Sequence, residues 1–175
     1  MKLYRRLFLR AGLPFAIIMA LVLTLSHGFV AGCIYGLLAG IAFGLLMSIM
    51  LGSLHIAAVR RISGGDIDIT AVNHSGTALV AHPPEAALEL CAAAVGTLKG
   101  GEILSQNEAG GILEARSGKT WKSFGERITF TLADRGDGIT EVAFASRPAA
   151  GTTVVDYGKN LQNVRQIAIF LAQHA

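Results

Sequence analysis

The stretch Gly32-Cys33-Ile34-Tyr35-Gly36-Leu37-Leu38-Ala39-Gly40-Ile41-Ala42-Phe43-Gly44-Leu45-Leu46-Met47-Ser48-Ile49-Met50-Leu51-Gly52 repeats a small residue at every fourth position and holds no charge. The charge-free region around it runs from Ala11 to Val59, without one Asp, Glu, Lys or Arg. As a single helix that region would measure roughly 73 Å at 1.5 Å per residue, against a hydrocarbon core of about 30 Å. It is too long for one span and suits two, and Ser26-His27-Gly28 supply a polar, flexible break between them. The expectation is a transmembrane helical hairpin, with spans at about 11–27 and 29–54, inside an anchor covering residues 1–61.

The first span carries its own four-residue repeat: Gly12, Ala16, Ala20, Thr24 and Gly28. Lipid provides no hydrophobic drive between helices, so close approach through small residues does much of the work of association. A spacing of four drifts by about 40° per step around a straight helix, so Gly32, Gly36, Gly40, Gly44, Ser48 and Gly52 sweep more circumference than one neighbour readily covers. The stripe is therefore expected to serve packing within the hairpin, with homo-oligomerisation as a further use. No charged or amide side chain is present to line a pore.

Residues 2 to 10 interleave Leu3, Tyr4, Leu7 and Phe8 with Lys2, Arg5, Arg6 and Arg10. Two readings stand: an amphipathic helix lying in the membrane surface, or a frayed basic end that only sets orientation. Val30-Ala31-Gly32-Cys33 resembles a bacterial lipoprotein signal, but an apolar run follows where a lipoprotein has a polar tether, which favours a span.

Charge divides the chain as hydropathy does. Lys2, Arg5, Arg6, Arg10, Arg60 and Arg61 precede Ser63 with no acid among them, while the other nine Lys and Arg accompany all twelve Asp and Glu. The net +3 and the pI of about 9.1 thus come from the anchor and give no sign of nucleic-acid binding. Basic residues flank both outer ends of the hairpin and none lies at its turn, so both termini are expected in the cytoplasm, on a multi-pass protein of the bacterial inner membrane. Residues 63–175 are enough for one hydrophobic core and read as one cytoplasmic domain. Cys33 and Cys91 lack any CxxC context and are expected to be free thiols.

Within the domain, Ile67, Ile69 and Ala71 alternate with Asp66, Asp68 and Thr70, and a second apolar stretch runs from Thr77 to His82 after a turn at Ser75-Gly76, so a hairpin or two short strands is expected. Pro83-Pro84-Glu85 opens a helix with Leu88, Cys91, Val95 and Leu98 on one face, closed by Gly100-Gly101. Strands follow at about 102–106, 112–116, 127–133 and 140–146. The third is clearest, with Ile128, Phe130 and Leu132 alternating with Arg127, Thr129 and Thr131 as in an antiparallel sheet covered on one side. From about Gly158 a last helix carries Leu161, Val164, Ile167, Ala168 and Leu171 on one stripe, while Ile169 and Phe170 point off it. The fold class is α+β, a two-helix hairpin followed by a β-α-β-β-β-β-α antiparallel-sheet domain.

That order resembles the helix-grip arrangement, in which an antiparallel sheet curves around a C-terminal helix, shared by START-like lipid-binding domains and the TATA-binding-protein fold. Arg116-Ser117, Ser146-Arg147 and Asp156-Tyr157-Gly158-Lys159-Asn160 also resemble motifs of uncharacterised bacterial domains. That resemblance implies no known reaction, and it does not cover Trp121-Lys122-Ser123-Phe124-Gly125-Glu126.

Two clusters are candidates for function. Asp156, Tyr157, Gly158, Lys159 and Asn160 precede a helix and read either as an anion site or as a cap with Asp156 bonded to free N–H groups, and Arg147 is a candidate partner for Asp156. Lys119, Trp121 and Lys122 form a basic, aromatic connection that reads as a lipid-surface contact or as a closure of the core. The five His form no ligand set, and no HExxH, GxGxxG, GxSxG or phosphate loop is present, so no metal, cofactor or catalytic constellation is expected. The expectation is a non-enzymatic membrane protein whose domain binds a protein partner or lipid. Its rival is a ligand-binding helix-grip module that carries or senses a small apolar molecule. Small Ala143 and Ala145 lie on one face of a strand and bulky Val142 and Phe144 on the other, and whichever pair faces the helix decides how much room remains.

Overall fold

The computed structural model describes residues 2–63, 68–120 and 123–175. The chain divides into two compact units, residues 1–60 and 61–175.

The first unit is a pair of helices, α1 (Lys2–His27) and α2 (Phe29–Ile62), each long and apolar enough to cross a membrane. They join at Gly28, whose φ of +80° lies in the region that glycine enters without strain. The two small-residue repeats meet in antiparallel register. A Cβ built on Gly36 would lie 2.4 Å from Ala20 Cα, one on Gly40 2.3 Å from Ala16 Cβ, and one on Gly44 3.0 Å from Gly12 Cα. Farther along, Gly52 faces the Tyr4 ring and Gly32 faces Thr24. All six residues of the α2 stripe are buried, while Leu21, Leu37, Leu46 and Ile49 project outward. Phe15 and Phe43 stack at 4.3 Å, and the hydroxyls of Thr24 and Ser48 donate to the carbonyls of Ala20 and Leu45, so neither stays unpaired in apolar surroundings.

Both helices extend beyond the spans expected at about 11–27 and 29–54. Residues 2–10 are not a separate surface segment: α1 starts at Lys2, and Tyr4 and Phe8 fill the grooves left by Gly52 and Gly44. Likewise α2 continues past 54 to Ile62, because nothing from Ser53 to Arg61 opposes helix and Arg60 and Arg61 are good helix formers.

The second unit runs β1 (His74–Val80), α3 (Pro84–Thr97), β2 (Glu102–Asn107), β3 (Ile112–Arg116), β4 (Glu126–Gly136), β5 (Ile139–Pro148) and α4 (Lys159–His174). The strands form one antiparallel sheet in the order β1-β5-β4-β3-β2. This is the β-α-β-β-β-β-α helix-grip order read from the sequence. Asp137 and Gly138, with φ of +54° and +72°, make the tight turn from β4 to β5, where two positive φ values match the twist of the strands. Both helices cover one face of the sheet, and Leu88, Cys91, Val95, Leu113, Ile128, Phe130, Val142, Phe144, Ile167 and Leu171 close into a single core between them.

Of the first expected strand, Asp66 and Ile67 lie outside the described residues, and from Asp68 the chain turns: the Asp68 carboxylate accepts from the Thr70 N–H at 2.9 Å and from its hydroxyl at 2.7 Å. Asp and Thr in this spacing compete with strand hydrogen bonding through such local bonds. Ser75 and Gly76, read as a turn, belong to β1. Gly76 is where the Phe144 ring crosses the strand, since a Cβ there would lie 2.8 Å from the ring.

Candidate functional site

The connection from β3 to β4 is fastened at its neck. Ser117 N donates to Glu126 O at 2.9 Å, Glu126 N donates to Ser117 Oγ at 3.2 Å, and both Ser117 and Ser123 hydroxyls donate to the Glu126 carboxylate, which is 1% exposed. Thr120 and Ser123 exchange backbone hydrogen bonds at 2.9 and 3.2 Å. Gly125 turns the chain with φ of +93°, in space where a Cβ would stand 2.9 Å from Ser117 O. A buried carboxylate needs its acceptors filled, and two short-reach hydroxyls bond to it here. The product is a clamped loop that leaves Phe124 78% exposed. Lys119 is exposed beside it, whereas Trp121 and Lys122 lie outside the described residues.

Under this loop, on the sheet face away from the helices, opens a cleft of about 610 Å³ whose walls include Leu104, Arg116, Lys119, Phe124, Arg127 and Ala149. That size lies within the range of small-molecule sites, about 300–1,000 Å³. Strand register aligns charges across this face of the sheet. Glu102 on β2 opposes Arg116 on β3, Arg116 opposes Arg127 on β4, and Arg127 opposes Arg147 on β5. Their neighbours Ala115, Ile128 and Ser146 are buried, so period-two alternation turns all four charges outward. Glu102 Oε2 accepts from Arg116 Nε at 2.9 Å and Nη2 at 2.6 Å. Among the described residues no ion pair reaches Arg127 or Arg147. Like charges directly opposite across strands each cost about 0.2–1 kcal/mol, so this row is held against its own repulsion.

The Asp156 cluster assembles differently. Asp156 is buried; its carboxylate accepts from Gly158 N at 3.1 Å, Asn160 N at 2.9 Å and Asn160 Nδ2 at 2.8 Å. Asn160 Oδ1 then accepts from Ser146 Oγ at 2.7 Å, and Ser146 Oγ accepts from Asn163 Nδ2 at 3.2 Å. Tyr157 and Gly158 take φ of +53° and +76°, which brings the chain into α4. These bonds do what a helix cap does and lock α4 to β5. Arg147, the candidate partner for Asp156, faces outward from β5, where Ser146 takes the inward position. Tyr157 and Lys159 line a separate open hollow of about 410 Å³ with Lys99 and Gln162.

The sheet's inner face answers the question of room. Val142 and Phe144 point to the helices and are buried in the core, while Ala143 and Ala145 face outward, where they floor a shallow hollow of about 440 Å³ with Ser75, Thr77, Thr129 and Thr131. Ile169 projects from α4 to the exterior, and Phe170 stacks on His174 at 4.2 Å. Cys91 is fully buried in the core, and burial pushes its thiol up to about 12. Among the described residues no three His, Cys, Asp or Glu come together as a metal site.

Of the candidate residues, Lys119 alone of its trio is described at the cleft, and Asp156 and Asn160 join one network. Sequence reasoning missed Glu126, Ser117 and Ser123 as a clamp, and missed the arginine row. The available signal was the period-two position of Arg127, but its neighbours depend on register.

No family model matches the chain, and no curated protein matches it. Solved structures are similar to it at low identity. The di-domain ARO/CYC StfQ from the steffimycin biosynthetic pathway shares 12% identity over 58% of this chain and 44% of that one, with a TM-score of 0.43. TTHA0849 from Thermus thermophilus shares 10% over 58% and 95%, with a TM-score of 0.38. Ara h 8.0201 shares 12% over 58% and 97%, with a TM-score of 0.34. The chain thus spans less than half the length of StfQ.

Proposed function

We propose that this chain is a non-enzymatic, membrane-anchored binding module of the bacterial inner membrane, whose helix-grip domain takes a lipid or similar amphipathic molecule at an open cleft on the sheet's outer face. The hairpin holds it at the bilayer, with the domain and both termini in the cytoplasm. The observation that carries this reading is the cleft itself: apolar Leu104, Phe124 and Ala149 share its walls with Arg116, Lys119 and Arg127, the two kinds of surface an amphipathic ligand requires. The filled inner face supports an external site over one between sheet and α4.

A second reading, a scaffold for a protein partner or for copies of itself, draws on β2. All six residues of this edge strand are exposed, including Ile103 and Leu104, and such an edge can accept another strand. Native mass spectrometry of the full-length protein released from gentle detergent separates the two. A subunit of 18.3 kDa carrying a discrete lipid-sized mass is the expected result. Bare multiples of that mass, without adduct, would replace lipid binding with assembly.

A further inference from the structure

The row Arg116, Arg127 and Arg147 is a feature of the domain surface that folding opposes. Three cations stand side by side on adjacent strands, and among the described residues only the first has a counter-charge, Glu102. Lys119 adds a fourth cation, lining the cleft with Arg116 and Arg127. A domain whose Lys and Arg are outnumbered by its acids has nonetheless gathered these in one place. Beside them the loop clamped at Glu126 leaves the Phe124 ring 78% exposed, next to the cations.

From this arrangement we infer that the arginine row, Lys119 and Phe124 form a docking surface for anionic lipid headgroups of a bilayer, the guanidinium groups binding phosphate and the Phe124 ring entering the interface. The inference rests on the cleft reading above and names its ligand class. Arginine suits this task because its planar fork bonds phosphate oxygens in pairs, and each cation near an anionic surface adds favourable free energy that salt screens. An exposed ring next to such cations provides the apolar half of the contact. Charge complementarity chooses the occupant: a neutral apolar ligand gains nothing from unpaired guanidinium groups, and an anionic bilayer pairs them all at once.

The test uses the full-length protein in nanodiscs with bromine-labelled acyl chains, made either of phosphatidylcholine alone or with phosphatidylglycerol added. The chain's single tryptophan, Trp121, three residues from Phe124, reports contact by quenching. Strong quenching only with phosphatidylglycerol is expected, and raised salt should reverse it. In the double variant Arg127→Gln with Arg147→Gln the docked-to-undocked ratio should fall about thirtyfold, taking the usual contribution of two surface cations, while thermal unfolding is unchanged or improved. Phe124→Ser should weaken quenching in the same discs and leave the salt dependence in place. Equal quenching in both discs, untouched by the arginine variant, would overturn the headgroup assignment and leave the cleft reading standing if a lipid adduct persists in the mass spectrum. Absence of both quenching and adduct would remove both. Release by inorganic phosphate at constant ionic strength would assign the row to a soluble anion and overturn docking on a bilayer.

Discussion

Glu126 shows what one buried residue can organise. Its carboxylate takes hydrogen bonds from the hydroxyls of Ser117 and Ser123, closing the neck of a loop whose next aromatic, Phe124, stays in solvent. Glu126→Ala leaves those hydroxyls without their acceptor, and an expected loss of about 1–3 kcal/mol should be read by chemical denaturation of the protein in mild detergent. Cys91 allows a prediction with a definite sign. Burial raises its thiol from 9.0 to about 12, so the folded protein keeps a proton that the unfolded chain gives up first. Stability from this residue is complete below pH 9 and should decline as pH rises from 9 toward 12. At neutral pH a thiol reagent should label Cys91 only when the domain opens, because the reactive thiolate is both scarce and inaccessible. Labelling at the same rate before and after denaturation would contradict this.

Helices and strands in this chain answer to different constraints. In the hairpin, glycine works by absence: a side chain at Gly36 would run into the backbone of Ala20, so Gly36→Leu should separate α1 from α2. Overpacking of this kind costs about 1–3 kcal/mol or more, and it should appear as unfolding at lower detergent concentration. Gly96 offers the opposite case. It lies exposed in α3, with ordinary helical backbone and nothing within 4 Å of a built Cβ. Gly96→Ala should therefore stabilise the domain by about 0.5–1 kcal/mol through helix propensity and a less free unfolded chain. In the sheet, pairing governs. Apolar alternation read along β4 and β5 correctly divides each strand into faces, and the bulky residues of β5 prove to be the inner ones. Ile69 and Ala71 show the limit of that method, because alternation there lost to hydrogen bonds made by Asp68.

At the level of the whole molecule, the division at residues 60 and 61 predicts two separable units. A chain beginning at Arg61 should remain soluble and unfold in one cooperative step, since the core that includes Phe130, Val142 and Ile167 lies wholly within the second unit. Gradual, non-cooperative melting would show that the hairpin is needed for the fold. A reporter fused after Ala175 should be active in the cytoplasm, following the basic residues at both outer ends of the hairpin.

Sequence by itself determined the two-part organisation, the two long apolar helices, the order of the domain's elements and which face of β4 is apolar. All of these depend on composition or on periodicity within a few turns or a few residues, and that information is local. Tertiary structure alone decided that α1 packs against Gly32, Gly36, Gly40, Gly44 and Gly52, that Asp156 bonds to Asn160, and that Glu126 clamps a loop. It also aligned Arg116, Arg127 and Arg147, which stand 11 and 20 positions apart in the chain. The physical reason is register: a shift of one residue in strand pairing would turn each arginine to the other face, and no short segment of sequence records which strands meet or where.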